Sequence, residues 1–219
     1  MKKKLDLTRI KLSRQREIAP GVFLMSFPRP WDFTAGQVIG ISSGHGLEAR
    51  LYSIASGELD DEVDILYSLN PEGKLTPWLS ALNTADSIHI SEPFGSFTCG
   101  GKDAWWIASG TGIAPFRSMF LTGLTKGKKL LHGGRDLSSF YFNEQFLPVL
   151  GNRYVRCCSR EEAPGIYGGR LTRYLMEQTD MPPHEKYYLC GSAEMVVDVR
   201  DILLTKGIPF NNIISEIYF

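Results

Sequence analysis

The segment at residues 103–119, D-A-W-W-I-A-S-G-T-G-I-A-P-F-R-S-M, sets Gly110 and Gly112 between an apolar run and a helical pattern. Glycines there allow backbone torsions and a close approach that a β-carbon would hinder. Pro115 suits the first helical turn, where its missing N–H has no intrahelical partner to lose. Such a loop offers bare amides at the positive end of a helix, and the chemistry this suits is the binding of a pyrophosphate. Pro115 stands where the third glycine of G-x-G-x-x-G would stand, and read alone the loop serves equally as an ordinary tight turn. A second loop, Gly73-Lys74-Leu75-Thr76, precedes another helical start, with Thr76 as the expected cap and Pro77 in the first turn. Its amides, the Thr76 hydroxyl and Lys74 suit a second anion, although a plain capped helix has the same sequence.

Such residues need elements to hold them, and two kinds are predicted. Short strand candidates at 10–17, 22–27, 37–42, 49–55, 63–69 and 87–90 follow one another across turn residues such as Ala19-Pro20-Gly21 and Ala35-Gly36. So many short strands predict an antiparallel barrel, interrupted by the helix near Thr76 with Trp78, Leu79, Ala81 and Leu82 as its apolar face. After Gly100-Gly101, strands at 104–108, 129–132, 154–158, 186–190 and 213–216 alternate with helices at 114–124, 140–150, 170–177 and 193–206. This half predicts a parallel α/β sheet, which binds ligands outside the carboxyl ends of its strands. Those ends carry Gly110-Thr111-Gly112, Gly133-Gly134-Arg135, Ser159-Arg160 and Cys190-Gly191-Ser192.

Composition narrows the class further. Twenty-four basic residues balance 24 acidic ones, so no global field argues for nucleic acid, and 43% hydrophobic with 22% charged residues is the make-up of a globular protein. Lys2-Lys3-Lys4 and Lys126-Gly127-Lys128-Lys129 are local basic clusters, read first as a solvated tail and a loop. No apolar run approaches the roughly 18 residues that span a bilayer, and no signal-peptide core follows the first lysines, so no membrane association and a cytoplasmic location are expected. Cys99, Cys157, Cys158 and Cys190 lack C-x-x-C spacing, which predicts reduced thiols and neither a zinc nor an iron–sulfur site.

Taken in order, R-L-Y-S at 50–53, G-K-L-T at 73–76, S-E-P-F-G-S-F at 91–97, G-T-G-I-A-P-F at 110–116, C-G-S at 190–192 and the terminal E-I-Y-F resemble the ferredoxin–NADP(+) reductase family. The resemblance is strongest to its bacterial ferredoxin/flavodoxin reductase branch and covers nearly the whole chain. It implies an antiparallel, Greek-key β-barrel binding FAD at 1–99, then a Rossmann-like α/β domain binding NADP(H) at 100–219. By resemblance the Arg50 guanidinium meets the FAD pyrophosphate, Tyr52 lies against the isoalloxazine and the Ser53 hydroxyl sits near flavin N5. Leu51, Leu66 and Ser68 complete the flavin surface, and Gly73, Lys74, Leu75 and Thr76 form the second FAD phosphate contact. The residue types agree, since guanidinium matches phosphate bidentately, an aromatic face stacks on a flat ring, and a hydroxyl both gives and accepts hydrogen bonds.

Thr111 and Gly112 then fall on the pyrophosphate and nicotinamide side of NADP(H). Arg135, Ser159, Arg160 and Arg170 gather at loops after two adjacent strand candidates, where arginines can meet a 2′-phosphate, with Tyr167 stacking on the adenine. Asp136 is the opposing sign, because a carboxylate after the second strand can bind ribose hydroxyls and favour NADH. The resemblance puts Cys190, followed by Gly191, beside the nicotinamide, although a buried structural thiol has the same sequence. Tyr218 is assigned to cover the flavin and Phe219 to reach its adenine, an order that can be exchanged, and Glu216 to assist proton movement or to position the nicotinamide.

The implied reaction passes a hydride from NADPH to flavin, then single electrons to ferredoxin or flavodoxin, or the reverse, with the chain as a monomer. Those carriers are acidic, so a basic face drawn from Lys2 to Lys4, Arg14, Arg16 or Lys126 to Lys129 is the expected dock. Two rivals remain. One changes the acceptor to free flavin, a quinone or the rest of a larger complex. The other is a non-catalytic FAD-binding redox sensor, against which Ser53, Thr111, Cys190 and Glu216 count.

Overall fold

The computed structural model describes residues 5–44 and 48–217, which divide into two units. The first comprises Met1–Thr98 with Arg117–Thr122, the second Cys99–Phe116 with Gly123–Phe219. Residues 117–122 follow the expected boundary yet cluster with the first unit, because Arg117 pairs with Asp64 there.

Among the described residues seven strands build the first unit: β1 (Thr8–Lys11), β2 (Arg14–Ala19), β3 (Val22–Pro28), β4 (Val38–Ser42), β5 (Arg50–Ser53), β6 (Glu62–Ser68) and β7 (Ser87–Ile90). They form two antiparallel sheets, β1-β7-β4-β5 and β2-β3-β6. The sheets join at both edges. Leu12 N donates to Asp86 O at 2.8 Å and Ser13 N to Ser26 O at 2.9 Å, so the chain turns from β1 into β2 without losing its hydrogen bonding. At the other edge Ile54 bridges Ile65 and Ala55 N donates to Asp64 O at 2.8 Å, so β5 runs on from one sheet into the other. Closure at both edges makes a barrel, as the spacing of the strands predicts. The single strand expected at 10–17 is two strands with a corner between them, where Leu12 turns into the core.

Alternate residues fill the barrel: Met25 and Phe27, Ile39 and Ile41, Val63, Ile65 and Tyr67, Ile88 and Ile90. Helix α1 (Leu75–Ser80) adds Leu75 and Leu79 to that core. The expected Thr76 cap is not formed. Lys74 holds the N-cap position, and the Thr76 hydroxyl instead accepts from Asn70 N at 2.9 Å and faces Asn70 O at 3.3 Å, because the preceding turn folds back on the helix.

The second unit carries β8 (Ala104–Ser109), β9 (Lys128–Gly134), β10 (Tyr154–Cys158), β11 (Tyr167–Gly168), β12 (Lys186–Gly191) and β13 (Ile213–Ile217). Between them run α2 (Ala114–Leu121), α3 (Asn143–Leu150), α4 (Leu171–Glu177) and α5 (Ala193–Thr205). The sheet is parallel throughout, in the order β11-β10-β9-β8-β12-β13. From β8 the chain builds outward through β9 and β10, then returns to place β12 on the other side of β8. The switch point therefore lies between β8 and β12, where such folds bind ligands. One face packs Trp105, Ile107, Leu131, Tyr187 and Leu189 against Leu171 and Leu175 of α4 and Val196, Val199 and Leu203 of α5. The two-residue β11 was not anticipated.

The expected basic cluster at 126–129 is largely structural. Lys128 is fully buried and its ammonium bonds the Lys102 and Lys126 carbonyls, while Lys129 Nζ lies 4.7 Å above the Trp105 ring. Arg153 ties the same turn through Thr125 O at 2.7 Å and Lys128 O at 3.0 Å. These charges hold the entry to β9 together, so the cluster as a whole is no free docking face. Arg14 is likewise paired, with Glu62 at 3.3 Å, whereas Arg16 is exposed; Lys2 to Lys4 lie outside the described residues.

Candidate functional site

At the switch point β8 passes directly into a 3-10 turn, Gly110–Ile113, which continues as α2. Gly110 takes φ +55°, a conformation glycine adopts freely. A β-carbon on Gly112 would strike the Cys190 carbonyl and the Gly191 amide, and one on Gly191 would strike Ser109 Oγ and Met195. The two glycines thus let the loops after β8 and β12 close on each other. Helix α5 also begins here, capped by Ser192 Oγ accepting from Met195 N at 3.3 Å. Two helix starts at the ends of adjacent strands give amides and a positive field, which together suit a diphosphate.

Cys190 lies beneath this cradle and is fully buried. Burial pushes its thiol well above the ordinary value, and the carboxylate of Glu216, its register partner on β13, adds to the effect. It is a neutral thiol with no nucleophilic form near neutral pH. Glu216 is half-buried, and Tyr218 and Phe219 lie outside the described residues.

Further along the sheet, Cys158 of β10 registers with Gly134 of β9. The two ends stay stitched past the strands: Ser159 N donates to Gly134 O at 3.1 Å and Arg160 N to Arg135 O at 3.0 Å. Gly169 N donates to Cys158 O at 2.7 Å, and Leu171, the first residue of α4, presses on Gly133 where a β-carbon would stand. Arg135, Ser159, Arg160 and Arg170 are therefore brought to one end of the sheet, all exposed, and the three arginines make no ion pair among the described residues. Asp136 opens a 3-10 turn, Leu137–Ser139, whose Leu137 amide is met by Glu161 at 2.6 Å. Tyr167 is tied to α4: its hydroxyl donates to Glu177 at 2.7 Å and its ring meets Tyr174 edge-on at 5.2 Å.

In the first unit Tyr52 and Arg50 pair with Ile39 and Ile41 and share their face of the sheet, while Leu51 and Ser53 take the other. Leu51 is 42% exposed and Ser53 buried. The Tyr52 ring lies edge-on to Tyr67 at 6.4 Å, and Tyr67 stacks on Phe23. The Tyr67 hydroxyl donates to Gln15 Oε1 at 3.0 Å, and the Gln15 amide reaches Leu79 O and Leu82 O, so the same ring system is tied to α1. Burial pushes the Tyr52 phenol up to about 12, with Arg50 opposing. Arg50 is exposed and makes no ion pair among the described residues. Leu66 is buried and Ser68 exposed, both on the face of β6 opposite Ile65 and Tyr67. The Gly73 amide is used by Asn70 O at 3.0 Å, which leaves the Leu75 and Thr76 amides of the first turn for an anion.

Sequence reasoning missed the buried pair of Arg117 and Asp64, joined at 2.8 Å. The available signal was an arginine amid the apolar positions of α2, but nothing marked its partner 53 positions earlier.

Comparison with known proteins bears on these features. An oxidoreductase NAD-binding domain model matches residues 106–201. The chain is 30% identical over 204 residues to the flavodoxin/ferredoxin–NADP reductase of Buchnera aphidicola subsp. Baizongia pistaciae, covering 80% of each. It is 32% identical over 210 residues to the phenol hydroxylase P5 protein of Acinetobacter pittii, covering 88% of this chain and 59% of that one. Its fold matches a crystal structure of a ferredoxin NADP+ reductase from Neisseria gonorrhoeae with bound FAD and NADP, at a TM-score of 0.88 and 24% identity, over 97% of this chain and 99% of that one.

Proposed function

The chain belongs to the flavodoxin/ferredoxin–NADP reductase family, and from that premise we propose that it binds FAD on the barrel and NADP(H) on the parallel sheet, and moves electrons between NADPH and a ferredoxin or flavodoxin. The observation that carries the reading is the cradle of Gly112 against Cys190 and Gly191, with three exposed arginines that make no ion pair among the described residues at the end of the same sheet. Arg50 and the Leu75 and Thr76 amides hold the FAD diphosphate, with Gly73 and Lys74 shaping that loop. Tyr52 packs on the ring, Ser53 hydrogen-bonds its edge, and Leu51, Leu66 and Ser68 line it. Thr111, Gly112 and Gly191 take the NADP(H) diphosphate, while Arg135, Ser159, Arg160 and Arg170 take the 2′-phosphate.

When bound, the flavin accepts electrons in pairs and releases them singly. The chain binds, orients and excludes water. Tyr52 stays neutral and contributes packing, Cys190 packs as a neutral thiol beneath the nicotinamide side, and Glu216 positions that side from β13. Tyr167 supports the adenine end, and Tyr218 and Phe219 cover the flavin and its adenine.

Among the described residues no helix is long and apolar enough to cross a membrane. This reading takes the chain as a monomer working in the cytoplasm. The reading is tested by purifying the protein, looking for a yellow flavin band, and following its bleaching under anaerobic NADPH and NADH. Colourless protein that takes up no FAD would end it.

A second reading keeps this chemistry and changes the acceptor, favoured by the 32% identity to the phenol hydroxylase P5 protein. Comparing ferredoxin, flavodoxin and oxygenase components as acceptors of NADPH-derived electrons separates the two.

A further inference from the structure

We propose that Arg117 is a positioning residue for the flavin site, holding the strand that carries Ser53 at the point where that strand changes sheets. The proposal rests on the flavin reading above. Arg117 belongs to the motif G-T-G-I-A-P-F-R, yet it lies in the first unit while the glycines of the motif lie in the second. Its Nη1 donates to the Ala55 carbonyl at 3.0 Å and to Asp64 Oδ2 at 2.8 Å. Both charged residues are only 6% exposed.

Residues 54–56 are pinned in succession. Ile54 N donates to Gln37 O at 3.0 Å, Ala55 N to Asp64 O at 2.8 Å, and Ser56 Oγ accepts from Asp64 N at 3.1 Å. The Ala55 carbonyl, two residues beyond Ser53, is met by Arg117. Asp64 is itself aimed: its other oxygen accepts from Ser26 Oγ at 2.6 Å, and Arg14 Nε reaches that hydroxyl at 3.1 Å. Stability alone gives little reason for such an arrangement, because well-packed apolar side chains stabilise a core as well as a buried ion pair does. An ion pair with fixed donors and acceptors adds direction. Here the direction is imposed on the backbone that delivers the Ser53 hydroxyl.

The test uses the FAD-loaded protein and anaerobic stopped-flow reduction by saturating NADPH. The double variant Arg117→Gln with Asp64→Asn removes both charges together, so no buried charge is left alone. It should retain FAD and an unchanged apparent Kd for NADPH, while flavin reduction slows by about tenfold or more, the scale expected when a reacting group is displaced by a fraction of an ångström. Arg117→Lys, which keeps a donor and a charge, should recover most of the rate. A double variant that is folded, yellow and reduced at the wild-type rate overturns the proposal. So does a loss of activity wholly accounted for by lost FAD. Should the double variant not fold, the apolar replacement Arg117→Met with Asp64→Leu decides between the same outcomes. A wild-type chain that takes up no FAD overturns the functional reading and this proposal together, whereas wild-type turnover with an undiminished variant overturns this proposal alone.

Discussion

Gly112 stands so close to the carbonyl of Cys190 that no β-carbon fits between them. Gly112→Ala must therefore push the loops after β8 and β12 apart. Since it lies in the second unit, FAD content should stay at the wild-type level, while KM for NADPH and NADH rises together by about tenfold. Steady-state kinetics beside the flavin absorbance check this, and an unchanged KM would mean the cradle holds no nucleotide.

Arg160 is exposed and its backbone is locked to that of Arg135. A charge-assisted hydrogen bond is worth about 1.5–3 kcal/mol, so Arg160→Ala should raise KM for NADPH by about tenfold and leave that for NADH nearly unchanged. Equal loss for both nucleotides would remove the 2′-phosphate from this corner.

Arg50 shares a strand face with Tyr52 and has no carboxylate partner among the described residues. Replacing it with alanine should leave the barrel folded, since the side chain is exposed, and release FAD during gel filtration. Retention of stoichiometric flavin by Arg50→Ala would show that another group holds the diphosphate.

His132 gives the fold a dependence on pH. It is fully buried, its Nδ1 lies 3.1 Å from the Tyr154 hydroxyl, and its ring meets Phe140 edge-on. Burial, with Arg156 adding to it, lowers its pKa to about 3. An unfolded histidine titrates near 6.5, so below that pH the unfolded chain takes up a proton that the folded chain refuses. The contribution is fully present above about pH 6.5 and declines by about 1.4 kcal/mol per unit down to about pH 3. Urea midpoints between pH 7 and 5 should fall more steeply for the wild type than for His132→Phe. Parallel slopes would contradict a buried neutral imidazole.

The parallel sheet was legible because strands such as Ala104–Ser109 and Lys186–Gly191 are short, mostly apolar runs ending in glycine or a small polar residue. The barrel was legible as a set of strands, but its corner at Leu12 was not, since a chain that bends without a proline or glycine leaves no local mark. Strand-end residues such as Arg135 and Arg160 could be placed together because parallel order puts consecutive strand ends side by side. Thr76 misled because a threonine before an apolar run has the same composition one residue inside a helix as it has at the cap. Lys128 misled because its partners are carbonyls, which every sequence supplies and none advertises. The Arg117–Asp64 pair was illegible for a related reason: a long-range contact is fixed by topology, and composition near either residue says nothing of it.

Because residues 117–122 cluster with the barrel, the flavin module is not a contiguous stretch of gene. A chimera that joins the first 98 residues to a foreign α/β half inherits Asp64 but borrows whatever residue the donor has in place of Arg117. Recombination at that junction is then restricted to donors that bring an arginine of their own, and successful domain shuffling among such reductases would have to carry this helix segment along with the barrel.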